Sequence, residues 1–153
     1  MTIEDDIAFL ERIPILRRLG PPALRILAIG AEGYRLEADQ VLFSAGDAAD
    51  CAYAIQEGSF ALKPERGEGE IIAGPGTLLG ESALLAETTR PATATAREPS
   101  AVLRISRTMF RKMLEGYPEA AQRLREVIAA RADQWARDME NVRDALTPRN
   151  KPR

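Results

Sequence analysis

Glu81 and Arg90 are the two side chains whose types and spacing could together hold a small polar guest. They stand in the stretch "GESALLAETTRPATATA", residues 80–96. Arg90 offers a planar fork of donors matched to phosphate oxygens. Glu81 offers acceptors only, suited to sugar hydroxyls. Gly76 and Gly80 let backbone approach a ligand closely, because no Cβ stands in the way. "SALLA" is short and apolar, able to form one or two helical turns whose first N–H groups would face an anion. "PATATA" alternates as a strand, with small residues that leave space above it. Anion donors at one end and a hydroxyl acceptor at the other describe a compact sugar phosphate. By themselves, Glu81 and Arg90 could equally pair with each other on the surface, a contact worth about 0–1 kcal/mol.

Composition removes competing chemistries. The chain has no histidine, which excludes Ser/His and Cys/His catalysis and histidine-ligated metal or haem. The one cysteine, Cys51, cannot form an internal disulfide or a thiolate cluster. It reads as a small core residue, with a redox-sensing thiol as the alternative. Glu81 has no partner base or nucleophile at a useful spacing, and a cupin-like metal enzyme would need histidines. We therefore expect no enzyme, metal or cofactor. The formal net charge is −2, which gives no footprint for nucleic acid. Only residues 121–153 lean basic, with eight Lys+Arg against five Asp+Glu. No apolar run approaches the roughly 20 residues that span a bilayer, and "MTIEDD" is too acidic for a signal peptide. Cytoplasmic location follows as the default.

The elements that must position the pair fall in the order helix, β, helix. At 153 residues the chain fits one domain, long enough to bury a core without staples. Ile7, Leu10, Ile13 and Leu16 recur at helical spacing, Pro21-Pro22 interrupt, and Gly33 ends the helical region. From Tyr34 to Arg107 short apolar runs ("QVLF", "CAYAIQ", "FALKP", "EIIA", "AVLRIS") alternate with turn residues, the texture of an antiparallel sandwich or barrel. Helical periodicity returns in "TMFRKMLEGYP". Pro118 then opens a helix of about 28 residues, or ~42 Å. Ile128, Trp135 and Val142, flanked by Ala132, Met139 and Leu146, make an apolar seam that needs a partner, either the β region or a second copy of the chain. The expected division is residues 1–33 helical, 34–107 β, 108–147 helical, and 148–153 a frayed tail.

The motifs, in this order, resemble the cyclic nucleotide-binding domain family of catabolite-activator-type regulators, protein kinase A regulatory subunits and cyclic nucleotide-gated channels. "GESALL" followed by Arg90 resembles the phosphate-binding cassette. "VLFSAGD", with Gly46-Asp47, "YAIQEGS", with Gly58, "GPGTLLGE" and "FRKMLEGYPE" resemble the segments around it. The resemblance extends over nearly the whole chain. It implies an α+β fold, a jelly-roll-like antiparallel β-roll flanked by N-terminal helices and a long C-terminal helix.

It also implies a ligand site made of Leu79, Gly80, Glu81, Ser82, Ala83, Arg90, Pro91 and Ala92. Glu81 would accept from the ribose 2′-hydroxyl, Arg90 would hold the cyclic phosphate, and the N–H groups of Ser82 and Ala83 would add donors. Counted from Arg90, Arg131 falls where channel-type members carry a lid arginine. Trp135, one turn on, could stack on the base or shield it; as alternatives, Arg131 is solvated surface and Trp135 is core or dimer seam.

Two departures matter. Pro91 stands after the cassette arginine, where the family usually has Ala, Ser or Thr with an N–H toward the phosphate, and proline has none. The missing bond would weaken binding by up to about tenfold. Pro91 also lacks the hydroxyl used by members preferring cGMP, so cAMP is the favoured ligand. Asp39 stands where the family often has a turn glycine, a substitution that touches stability rather than the site. The chain runs just past the lid helix without a recognition helix, so direct DNA binding is not expected. The reading is a cAMP sensor in signal transduction, acting through its lid helix on an unknown protein partner or as a homodimer. The alternative is a degenerate, non-binding member serving as a dimerisation or scaffold module.

Overall fold

The structure, a computed structural model, describes residues 2–67 and 69–146, and the side chains of residues 132–135, 139 and 142–146 lie outside that description. Three short helices come first: α1 Ile3–Glu11, α2 Pro14–Arg17 and α3 Pro21–Gly30. Thr2 caps α1 with a reciprocal box, its hydroxyl accepting from Asp5 N–H at 3.1 Å while the Asp5 carboxylate accepts from Thr2 N–H at 3.2 Å. Those bonds hold the Asp5 carboxyl below the usual carboxylate range. Pro21 takes the first position of α3 after Gly20, whose φ of 90° turns the chain. The apolar stripe Ala23, Leu24, Leu27 and Ala28 of α3 is buried.

Among the described residues ten strands follow: β1 Glu32–Leu36, β2 Val41–Phe43, β3 Ala48–Ala49, β4 Cys51–Glu57, β5 Phe60–Pro64, β6 Ile71–Ala73, β7 Leu78–Leu79, β8 Thr88–Thr89, β9 Ala92–Ala96 and β10 Ser100–Ser106. They form two four-stranded antiparallel sheets, ordered β1-β10-β4-β7 and β2-β9-β5-β6, with β3 and β8 paired beside them. A one-turn 3₁₀ helix, Glu81–Leu84, sits between β7 and β8, and α4 Arg107–Gly116 and α5 Pro118–Leu146 close the chain. The fold is α+β: an antiparallel β-roll with helices before and after it.

The helical region ends at Gly30, and Gly33, expected as its terminator, lies inside β1 opposite Leu103 of β10. Pairing with a strand seventy residues away overrides the local glycine signal. The β region accordingly runs from Glu32 to Ser106, and α4 begins at Arg107, one residue before the expected 108. Asp39, in the glycine-like turn position, has φ 72° and donates its N–H to the Ala96 carbonyl at 2.7 Å, so aspartate does adopt the left-handed geometry.

Two cores support the site. Leu36, Ile55, Phe60, Leu79, Ala94, Ala96 and Val102 fill the sandwich. A second cluster joins Leu10, Leu24 and Leu27 to Phe110 and Met113 of α4, and includes Leu84 of the 3₁₀ turn. The turn carrying Glu81 is therefore anchored, through Leu84, in the core that α4 shares with the N-terminal helices. On α5, Ile128 is 36% exposed. The rest of the expected seam, Ala132, Trp135, Met139, Val142 and Leu146, lies outside the described side chains, and the expected tail 148–153 lies outside the described residues.

Candidate functional site

The backbone of Arg90 is clamped by the turn "SAGD". Arg90 N–H donates to the Asp47 carbonyl at 2.8 Å, and Gly46 N–H donates to the Arg90 carbonyl at 2.8 Å. Gly46 has φ 89°, which favours glycine, and the Asp47 carboxylate accepts from Ser44 N–H at 3.0 Å to brace the turn. Ala45 N–H donates to the Thr93 hydroxyl at 2.9 Å, tying the same turn to β9. The Gly46-Asp47 pair thus fixes where the arginine leaves the backbone.

From there the Arg90 side chain runs inward and is 4% exposed. Its guanidinium carbon lies 4.4 Å from the Phe43 ring centroid and 5.5 Å from that of Tyr53. The two rings are themselves stacked, with centroids 5.9 Å apart. Nη2 donates to the Cys51 sulfur at 3.2 Å, while Nη1 is buried with no hydrogen-bond partner among the described residues. Arg90 makes no ion pair among the described residues. The surface Glu81–Arg90 pair allowed by the sequence does not form. A buried cation without an anion is costly, and an incoming anion would remove that cost.

Leu79, Gly80, Glu81, Ser82, Arg90, Pro91 and Ala92 line one cavity of about 450 Å³, with Phe43, Leu62 and Leu78 completing its wall. Gly80 has φ 76° and admits the arginine, since a Cβ there would stand 2.2 Å from Nη1. Ala83 is not part of the wall. It is fully buried, and its N–H donates to the Gly80 carbonyl at 3.0 Å, so the expected ligand donor is spent inside the 3₁₀ turn. Pro91 lines the cavity and brings no N–H to it.

Glu81 pairs with Arg131 of α5, through Oε1 and Nη1. The lid candidate therefore reaches the cassette carboxylate, itself part of the cavity wall. Glu81 keeps 40% and Arg131 49% side-chain exposure, so the contact is a surface one and weak. The side chain of Trp135 lies outside the described residues.

Sequence reasoning missed four supports of this site. Phe43 and Tyr53 flank the Arg90 guanidinium, Cys51 takes one arm of the arginine, and Arg107 ties the cassette to the helices. Arg107 Nε donates to the Ala83 carbonyl at 2.7 Å, and its Nη2 donates to the Ala49 carbonyl. Phe43, immediately before the Gly46 turn, carried a legible signal, since its strand leads straight to the clamp. Burial pushes the Tyr53 hydroxyl up to about 12, with the neighbouring Cys51 sulfur adding to the rise. Among the described residues no cluster of metal-ligating side chains occurs.

The site is thus an antiparallel roll with a buried arginine beside a glycine-led turn. The chain belongs to the cyclic nucleotide-binding domain family, whose match covers residues 34–117. It is similar to the structure of a cyclic nucleotide-binding-like protein from Brucella abortus, at 45% identity and a TM-score of 0.64, over 72% of this chain and 98% of that one. The regulatory domain of Toxoplasma gondii PKA, solved with cAMP, shares the fold at 20% identity and a TM-score of 0.70, over 86% of this chain and 50% of that one. Lysophospholipase NTE1 of Chaetomium globosum is 27% identical over 120 residues, which are 76% of this chain and 8% of that enzyme. The chain thus spans a small fraction of the length of the curated relatives it matches.

Proposed function

We propose that this domain binds a cyclic nucleotide, cAMP in preference to cGMP, and signals by moving α5 over the site. The observation that carries the reading is the Arg90 guanidinium, on a residue that lines the cavity, buried at 4% exposure with Nη1 unpartnered among the described residues. An anion of phosphate geometry supplies what that group lacks. The remaining wall is largely apolar (Phe43, Leu62, Leu78, Leu79), suited to a flat base. Glu81 has room for two partners, because a carboxylate offers four lone-pair sites. A ribose hydroxyl and Arg131 can share it, so ligand and docked α5 stabilise one another and the bound population shifts toward the closed helix.

We read the domain as regulatory and not catalytic. It corresponds to 8% of the Chaetomium lysophospholipase, and the cavity contains no nucleophile paired with a base. Isothermal calorimetry with cAMP on wild type and Arg90→Ala tests the proposal. Binding by wild type that is lost in the variant is expected; absence of wild-type binding ends the cyclic-nucleotide reading.

Pro91 favours the second reading, a member that no longer binds and serves as a dimerisation or scaffold module. Sedimentation with and without cAMP separates the two, since a scaffold keeps one assembly state in both.

A further inference from the structure

We propose that Cys51 is the positioning residue for Arg90, holding one arm of the fork with an uncharged acceptor so that the charge stays available to the ligand. This role rests on the cyclic-nucleotide reading above.

The guanidinium is fixed from three directions. Phe43 and Tyr53 lie at 4.4 and 5.5 Å. Gly80 leaves room for Nη1, with space that a single Cβ would take. The third direction is the sulfur, 3.2 Å from Nη2 and itself 2% exposed. Rings supply attraction but no direction within the guanidinium plane, so a plane-directed acceptor is what sets the fork's rotation. Cys51 is that acceptor, placed by the register of β4, where it stands opposite Ser106 of β10.

The chemistry of the acceptor matters as much as its place. Sulfur is a weak hydrogen-bond acceptor, and a thiol brings no formal charge to cancel the cation. The arginine is therefore oriented without being neutralised. Its other arm, Nη1, stays buried and unpaired among the described residues. An anionic ligand then gains the interaction that the protein has left unmade.

The test uses two strand-compatible replacements. Cys51→Val keeps about the same volume without an acceptor, and Cys51→Ser keeps an acceptor in a smaller side chain. Affinity for cAMP by calorimetry and melting temperature are measured for both. The expected result is a loss of about tenfold for Val and at most about threefold for Ser, the scale of one hydrogen bond to a charged group. In an Arg90→Lys background, where there is no fork to orient, Val and Cys at position 51 are expected to bind cAMP alike. Equal affinity of Val and wild type overturns the role, and so does equal loss in Val and Ser, which would mark simple packing. A further Val penalty in the lysine background also overturns it. Failure of wild type to bind cAMP defeats the nucleotide reading and this role together, whereas wild-type binding with an indifferent Val variant defeats this role alone.

Discussion

Gly80 and Arg90 share one volume: a β-carbon on residue 80 would lie 2.2 Å from Arg90 Nη1. The clashing atom is the far end of a flexible side chain, so the arginine moves and the fold survives. Gly80→Ala is therefore expected to lose cAMP affinity by more than about tenfold, as a displaced charged hydrogen bond does. Its stability cost is about 1 kcal/mol from the positive φ alone. Calorimetry and denaturant unfolding of the same sample check both halves; a variant with wild-type affinity refutes the close-approach role.

Gly58 gives the opposite profile. Its φ is 85°, and an added Cβ would meet Ser100 Cβ at 2.7 Å and the Pro99 carbonyl at 2.8 Å. Backbone cannot step aside as an arginine tip can. Gly58→Ala is expected to destabilise by about 2–4 kcal/mol, from strain and overpacking together. Thermal unfolding reads this directly, and a melting point within a degree of wild type contradicts it.

Arg90→Met separates binding from folding. The arginine carries a buried Nη1 that is unpaired among the described residues, and an unbranched apolar side chain fits against the same Phe43 and Tyr53 rings. Replacing a poorly compensated buried charge in this way is often neutral or stabilising. The variant is expected to melt no lower than ligand-free wild type and to show no cAMP binding. A loss above about 2 kcal/mol would mean the charge is compensated after all.

The Glu81–Arg131 contact is half exposed on both sides, so Arg131→Ala is expected to change stability by less than about 1 kcal/mol. Its effect belongs to the ligand-bound state. A few-fold loss in cAMP affinity is expected, together with loss of any ligand-dependent movement of α5, followed by a fluorescent probe on that helix. Unchanged movement would remove Arg131 from the lid.

Tyr53 titrates near 12 in the folded chain, against about 10 unfolded. A raised phenol pKa means the folded state holds its proton longer. The associated stability is fully present below about pH 10 and is lost as pH rises toward 12. Alkaline unfolding monitored alongside phenolate absorbance is expected to show this loss, and Tyr53→Phe is expected to flatten it.

Several features are legible in the sequence alone. The helix–β–helix order follows from a change of apolar period, and the Glu81 and Arg90 cassette from the resemblance that "GESALL" and its neighbouring motifs carry. The one-turn helix after Gly80 and the proline opening α5 were equally local. The two-residue strands β3, β7 and β8 were not, because pairs such as Ala48–Ala49 have no periodicity to detect and exist only through their partners. Gly33 was misread for the same reason, its strand character being supplied by β10.

Residue types and spacing determined which groups could hold a sugar phosphate, because donor and acceptor chemistry belongs to the side chain wherever it lies. Only the folded chain decided their partners. Glu81 turned out to face Arg131, fifty residues on, and Arg90 to rest on Phe43, Tyr53 and Cys51 with one arm unmet among the described residues. Burial and long-range strand register set those contacts, and neither is encoded in any local stretch.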